Sequence, residues 1–226
     1  MKIMKNLRDG TAAAVVGFFV GASVLRGADT TNRYQAQAGA SKVLVQGTSS
    51  LHDWEMKGKI LGGFVEFAGP VDFDTNQAAL TALKDGVLPA TAQAIIPVRS
   101  IKSEAEVKPE YMEGLMQEAM KEKNFSRIEY RVTELKLKLP HAKGAAFEFD
   151  AKGDLAIAGV TNQVSFPVTI TPVGADKIMI SGEAKLKMTA FKVPPPAPDF
   201  GMGLMKCGDD IKIVFDWVLA KAKAQP

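Results

Sequence analysis

The sequence predicts an all-β protein of about eight strands, closed into a barrel or stacked as a sandwich, with one or two short helices. Three observations carry that expectation. Apolar residues recur at every second position in several stretches, most plainly in residues 145–171. There Phe147, Phe149, Ala151, Gly153, Leu155 and Ile157 alternate with Glu148, Asp150, Lys152 and Asp154. After a turn signal at Ala158-Gly159, Val164, Phe166, Val168 and Ile170 resume the pattern. Successive side chains of a strand point to opposite faces, so this stretch is a hairpin with one apolar and one wet face. The second observation is number, since about eight such segments occur along the chain. The third is a consequence. Many strands with one apolar face each must close on themselves or stack, and a barrel of ~8 strands is wide enough to hold one small ligand.

The chain has 226 residues and a net charge of +3. Residues 1–28 carry Lys2, Lys5, Arg8 and Arg26 against Asp9, so the remainder is near neutral. A near-neutral body argues against nucleic acid as a partner, because phosphate binding needs clustered Lys and Arg. The same segment has a basic start, an uncharged run of small and apolar residues over 11–25, and Ala28 as a cleavage position. That is the layout of a secretory signal peptide, too short for a transmembrane helix of ~20 apolar residues. The expected organisation is therefore a signal peptide over 1–28 and one domain over 29–226, with no stable membrane span after cleavage.

Residues 29–39 are polar and read as a leader into the first strand, 42–48. A second strand covers 54–68, where Gly58, Gly62 and Gly63 suit a bulge or sharp bend. Over 74–86 the spacing of Ala79, Leu80 and Leu83 is helical, with Asp74 or Thr75 as cap and Gly86 as stop. Residues 90–103 return to extended structure, and Pro97 favours an edge or bulge. The clearest helix is 109–123. Pro109 suits its first turn, and Met112, Leu115, Met116, Ala119 and Met120 form one stripe. Residues 127–139 form a strand whose apolar phase switches around Glu134, which calls for a bulge. Beyond the hairpin, 177–190 and 210–219 alternate again. The stretch 193–206 holds three consecutive prolines, which cannot join a central strand, and is a loop.

Chemistry-bearing patterns are scarce. The only histidines are His52 and His141. Ser49, Ser50, His52 and Asp53 have the residue types of a hydrolase, but neighbours along an extended chain point to opposite faces, so a turn is expected. No catalytic set, metal site or cofactor is expected: two distant histidines and one cysteine make no zinc pattern, and Asp72/Asp74 and Asp209/Asp210 lack the spacing of a calcium loop. Cys207 stands alone, so no intrachain disulfide can form, and an inert buried thiol is its expected state.

Four segments together resemble a known family. They are T-S-S-L-H-D-W-E-M-K-G-K (48–59), N-F-S-R-I-E-Y (124–130), G-D-L-A-I-A-G-V-T-N-Q-V-S-F-P-V (153–168), and F-K-V-P-P-P with D-D-I-K-I-V-F-D-W (191–196 and 209–217). The sequence resembles the YceI-like family of exported bacterial lipid-binding, polyisoprenoid-binding proteins. The resemblance implies an antiparallel eight-stranded lipocalin-like barrel with a long apolar channel. It implies non-catalytic binding of a polyisoprenoid, isoprenoid quinone or fatty-acyl compound for storage or transport, in the periplasm or outside the cell. The loop over 194–205 departs from the family in its length and its Pro, Gly and Met content. The expected channel lining is Trp54, Phe64, Ile96, Tyr130, Phe147, Phe149, Phe166, Val168 and Phe191, with Met116 and Met120 near one end. The lipid or isoprenoid ligand is the expected partner, and a homodimer is a further option. Two other readings stand beside this one. One is a structural or stress-response envelope protein with a dry core. The other is a lipid- or ester-acting enzyme working through His52 and a distant carboxylate.

Overall fold

A computed structural model describes residues 32–77, 79–80, 82–197 and 206–223. The expected signal peptide, residues 198–205 of the Pro-rich loop and the last three residues lie outside that set. The strands are β1 (Arg33–Ala36), β2 (Lys42–Ser49), β3 (Trp54–Gly58), β4 (Gly62–Phe67), β5 (Ala90–Pro97), β6 (Ile101–Ser103), β7 (Arg127–Leu137), β8 (Phe147–Ile157), β9 (Val160–Pro172), β10 (Lys177–Lys187) and β11 (Cys207–Lys221). One α-helix, α1 (Pro109–Ala119), lies between β6 and β7. None of the described helices is long and apolar enough to cross a membrane.

All pairings are antiparallel, and eight strands close a ring in the order β1-β4-β5-β7-β8-β9-β10-β11, with β11 returning to β1. The remaining three continue broken staves of the same wall. β1 and β2 lie end to end along the fifteen-residue β11, as Tyr34↔Lys221 and Val43↔Phe215 show. β3 and β4 pair with them in the same way, and β5 runs on into β6 through a 3-10 turn at Val98–Ser100. The eight-stranded barrel is thus an up-and-down closure in which every strand of the ring has a partner on both sides.

β1 lies in the stretch expected to be a leader. It is four residues long and half-buried, too short for alternation to show, yet it pairs with both β4 and β11 and closes the ring. The expected helix over 74–86 is also corrected. The described residues there form turns, because the Asp72 and Asp74 carboxylates accept from the backbone N–H groups of Asp74 and Asn76, each at 3.0 Å. Side-chain acceptors of this kind compete with helical bonding. Asp85 and Gly86 then have positive φ, and Leu80 and Leu88 plug the barrel end instead of forming a helix stripe.

α1 ends earlier than 123, and the cap shows why. Lys121 takes a left-handed φ of 54°. Its N–H donates to Glu118 O and that of Glu122 donates to Gln117 O, each at 2.9 Å. This is the Schellman pattern, usually built on glycine. The hairpin β8–β9 turns at Ala158 and Gly159, both with positive φ, and its register runs from Ile157↔Val160 to Phe147↔Ile170. The phase switch in β7 is a register shift between Val132 and Glu134, which keeps both Tyr130 and Leu135 on the inward side.

β9 and β10 pair only from Pro172↔Ile178 to Val168↔Gly182. The next residue toward the start of β9 is Pro167, which has no N–H to extend the ladder. Beyond it the two strands diverge, and the 3-10 turn Met188–Phe191 covers the gap with Met188 and Phe191 buried.

Candidate functional site

The inward face of β8 is buried without exception, from Phe147 to Ile157 at every second residue. What it meets differs along the barrel. At the end closed by residues 68–89, Phe67, Phe73, Leu80, Leu88, Phe147, Phe149 and Leu219 pack into a solid floor. The rings of Phe73 and Phe147 lie 6.2 Å apart, and those of Phe67 and Phe73 lie 5.4 Å apart. Phe147 and Phe149 are 0% exposed and belong to this floor.

Above the floor the barrel is not filled. An inner chamber of about 120 Å³ is bounded by β2, β4, β5, β7, β8, β9, β10 and β11. The cause is visible in the residues. Ala90, Ala92, Ala94, Ala151 and Ala184 take inward positions on its wall, where larger side chains would meet across the axis. Its aromatic wall is Tyr130, Phe166, Phe215 and Trp217. Tyr130 and Phe166 stack with centroids 5.0 Å apart, and Phe166 meets Phe215 edge-on at 6.0 Å.

A helix-side chamber of about 100 Å³ continues toward α1. Met112, Leu115, Met116 and Ala119 of α1, with Met120 after it, form one side, and Trp54, Met56, Met188 and Phe191 form the other. The two chambers share Val45, Ile101, Ile128 and Ile213 as a common waist. α1 is held over this end by Glu113, which accepts from Lys102 Nζ at 2.7 Å and from the Ser103 N–H at 3.2 Å.

Polar atoms are few on these walls. Among the described residues of the inner chamber, only Tyr130 and Trp217 carry them on side chains. The Tyr130 hydroxyl donates to Ala151 O at 3.1 Å. Burial pushes its pKa well above the usual phenol range, and the nearby Asp154 charge adds to the shift. Trp54 donates its Nε1–H to Thr48 O at 3.0 Å. Cys207 lines the helix-side chamber, half-buried, and burial raises its thiol pKa.

Eight of the eleven side chains singled out in the sequence lie on the chamber walls. Ile96, Tyr130, Phe166 and Val168 face the inner chamber, and Trp54, Met116, Met120 and Phe191 face the helix-side chamber. Three do not. Phe147 and Phe149 point into the barrel but are spent on the floor. Phe64 points out of the barrel, where the Arg33 guanidinium covers its ring at 3.5 Å. Its segment, F-V-E-F, puts Phe64 in the phase of the exposed Glu66, and Val65 and Phe67 take the inward one. The alanine set and Trp217 were missed. The alternation A-T-A-Q-A over 90–94 was a usable signal, because small residues at successive inward positions leave space.

Ser49, His52 and Asp53 form a turn. The Ser49 hydroxyl donates to His52 O at 2.6 Å and accepts from the His52 N–H at 3.2 Å, while His52 Nδ1 lies 2.7 Å from the backbone oxygen of Asp53. The serine oxygen is committed to backbone, not to an imidazole.

Solved structures share this architecture. Burkholderia cenocepacia BcnA is 18% identical with a TM-score of 0.55, the match covering 81% of this chain and 98% of that one. A polyisoprenoid binding domain from Saccharophagus degradans, implicated in plant cell wall breakdown, is 14% identical with a TM-score of 0.58, covering 84% of this chain and 98% of that one. At these identities the likeness is one of fold. No functionally curated protein matches the sequence. The model of the YceI-like domain matches residues 34–219, and with that match over most of its length the chain belongs to the YceI-like domain family.

Proposed function

We propose that the protein is a non-catalytic carrier that holds a long apolar, lipid-like ligand in its barrel. The ligand is a polyisoprenoid, an isoprenoid quinone or a fatty-acyl compound. It acts in the bacterial periplasm or outside the cell after removal of the signal peptide, in storage or transport. The observation that carries this reading is the pair of adjoining apolar chambers of about 120 and about 100 Å³. At ~24 cal/mol per Å³ left empty, such space costs on the order of 5 kcal/mol in a core. An apolar cavity of ~150 Å³ is known to stay dry and to accept apolar guests. An alkyl or prenyl chain entering both chambers would remove that cost and gain ~0.8 kcal/mol per buried CH₂. The polyisoprenoid-binding domain with the same fold supports the ligand class.

The test is organic extraction of the protein purified from a bacterial envelope fraction, with mass spectrometry of the extract. A stoichiometric long-chain hydrophobe is expected. Absence of any bound hydrophobe, together with no rise in the thermal midpoint on adding isoprenoids, overturns the proposal in favour of a dry-core envelope protein.

A further inference from the structure

The wall of the inner chamber carries a hydrogen-bond donor that none of the described residues uses. Trp217 lines the chamber and is 4% exposed. Its Nε1–H is shielded from solvent and meets no acceptor among the described residues. A buried polar group left without a partner costs ~1–3 kcal/mol, so such groups are few in folded proteins and call for an explanation. On the β10 side Trp217 sits in unbroken register opposite Ile180, and on the other side it falls in the break between β2, which pairs up to Asp216, and β1, which pairs from Leu219. The other indole behaves differently, since Trp54 donates to Thr48 O. The Tyr130 hydroxyl likewise spends its proton on Ala151 O.

An indole N–H donates and cannot accept. Whatever satisfies it must present an acceptor. Among the described residues, no cationic side chain lines the inner chamber. An ionised carboxylate or phosphate would therefore be buried without a countercharge, at a cost far above that of a neutral group. A pure hydrocarbon would leave the donor unsatisfied. A carbonyl oxygen satisfies both conditions. The position of the donor also orients the ligand. Trp217 is two residues from Leu219 of the floor, which pairs with the buried Ile178 on β10. The carbonyl end therefore lies deep in the barrel, and the chain runs past the waist toward the methionines of α1.

We infer that Trp217 is a specificity-determining residue whose Nε1–H donates to a carbonyl oxygen of the ligand, so that the inner chamber selects an uncharged carbonyl-bearing chain over a plain hydrocarbon or an ionised acid. The inference rests on the ligand-carrying function proposed above. It is tested with matched probes of equal carbon number, 2-undecanone, undecane and undecanoate, displacing a fluorescent apolar dye from the full chain and from Trp217→Phe. The phenyl ring keeps an aromatic wall and removes the donor. The expected result is a loss of about tenfold in 2-undecanone affinity in the variant, the size of one net hydrogen bond, with undecane changed less than twofold. Undecanoate is expected to compete at least tenfold more weakly than the ketone at pH 7 in the unaltered protein.

Equal weakening of ketone and hydrocarbon, or no weakening of either, overturns the role of the donor. Failure of all three probes to displace dye from the unaltered protein overturns the carrier function instead. A second measurement does not depend on the variant folding. In 15N-labelled protein the Trp217 indole resonance should move downfield with 2-undecanone and stay in place with undecane, with the bonded Trp54 indole as internal control. An unmoved Trp217 resonance at saturating ketone overturns the inference.

Discussion

The ring of Tyr130 rests on Gly153. A Cβ built at Gly153 would stand 2.8 Å from Tyr130 Cε2 and Cζ, and it would also collide with the carbonyl oxygen of Arg131. Glycine at this inward position lets an aromatic ring lie down on the barrel wall, with its hydroxyl bonded to Ala151 O at 3.1 Å. The ring then stacks against Phe166 and forms one side of the inner chamber. Gly153→Ala must move both ring and backbone. Overpacking of this kind costs ~1–3 kcal/mol. The midpoint of urea unfolding should fall accordingly, and an unchanged midpoint would show that the wall yields without cost.

Ala184 is buried on the inner-chamber wall and pairs with Ile213 across β10 and β11. A phenyl ring there fills much of a chamber of about 120 Å³. Ala184→Phe is expected to weaken apolar ligand binding at least tenfold while leaving the far-ultraviolet spectrum unchanged. Dye displacement by a long-chain ketone reads the effect. Undiminished affinity in the folded variant would place the ligand elsewhere.

The Arg99–Glu122 pair is asymmetric. Arg99 Nε and Nη2 donate to the two oxygens of Glu122 at 2.7 and 3.1 Å, yet the arginine side chain is 73% exposed and the glutamate 9%. Removing the arginine strands a buried carboxylate, whereas removing the glutamate leaves an arginine that water can solvate. Arg99→Ala should therefore destabilise more than Glu122→Gln, with the double variant more stable than Arg99→Ala alone. A double-mutant cycle by chemical denaturation measures this, and equal losses for the two single variants would contradict it.

Alkaline pH should expose the buried phenol of Tyr130. Its folded pKa is raised above the ordinary value of 10.0 by burial first and Asp154 second. The unfolded chain then releases the proton at lower pH than the folded one. The stabilisation is fully present below pH 10.0 and is lost as pH rises from there toward the folded pKa. The slope for one proton approaches ~1.4 kcal/mol per pH unit. Tyr130→Phe should flatten the stability profile above pH 10.0, whatever its effect at neutral pH. An identical slope in both proteins would mean that the phenol ionises freely in the fold.

The strands themselves were legible because alternation is a local property with a period of two. Charges at Glu148, Asp150, Lys152 and Asp154 set the inward phase of β8 without reference to anything else, and the turn at Ala158-Gly159 set its pairing. The fold class followed from repeating that pattern. β1 escaped notice because four residues carry no period, and its role as the closing strand depends on β11, which pairs with it from residues 219–221. The turns over 74–86 escaped because helical spacing was outweighed by carboxylates bonding the backbone beside them.

The candidate site divides in the same way. That Phe147, Phe149, Phe166 and Val168 share one face was decided by the sequence. That the first two close a floor while the last two border a cavity was not, since that depends on Phe73, Leu80 and Leu88 arriving from another part of the chain. Phe64 shares the outward phase of Glu66, and the pairing of β4 places Val65 inside and leaves Phe64 under Arg33. By itself the sequence determined amphipathic strands that must close into a barrel or stack. Only the tertiary structure decided where that barrel is solid and where it is hollow, because empty space is a property of residues that meet across the axis from distant strands, and parity along one strand carries no information about them.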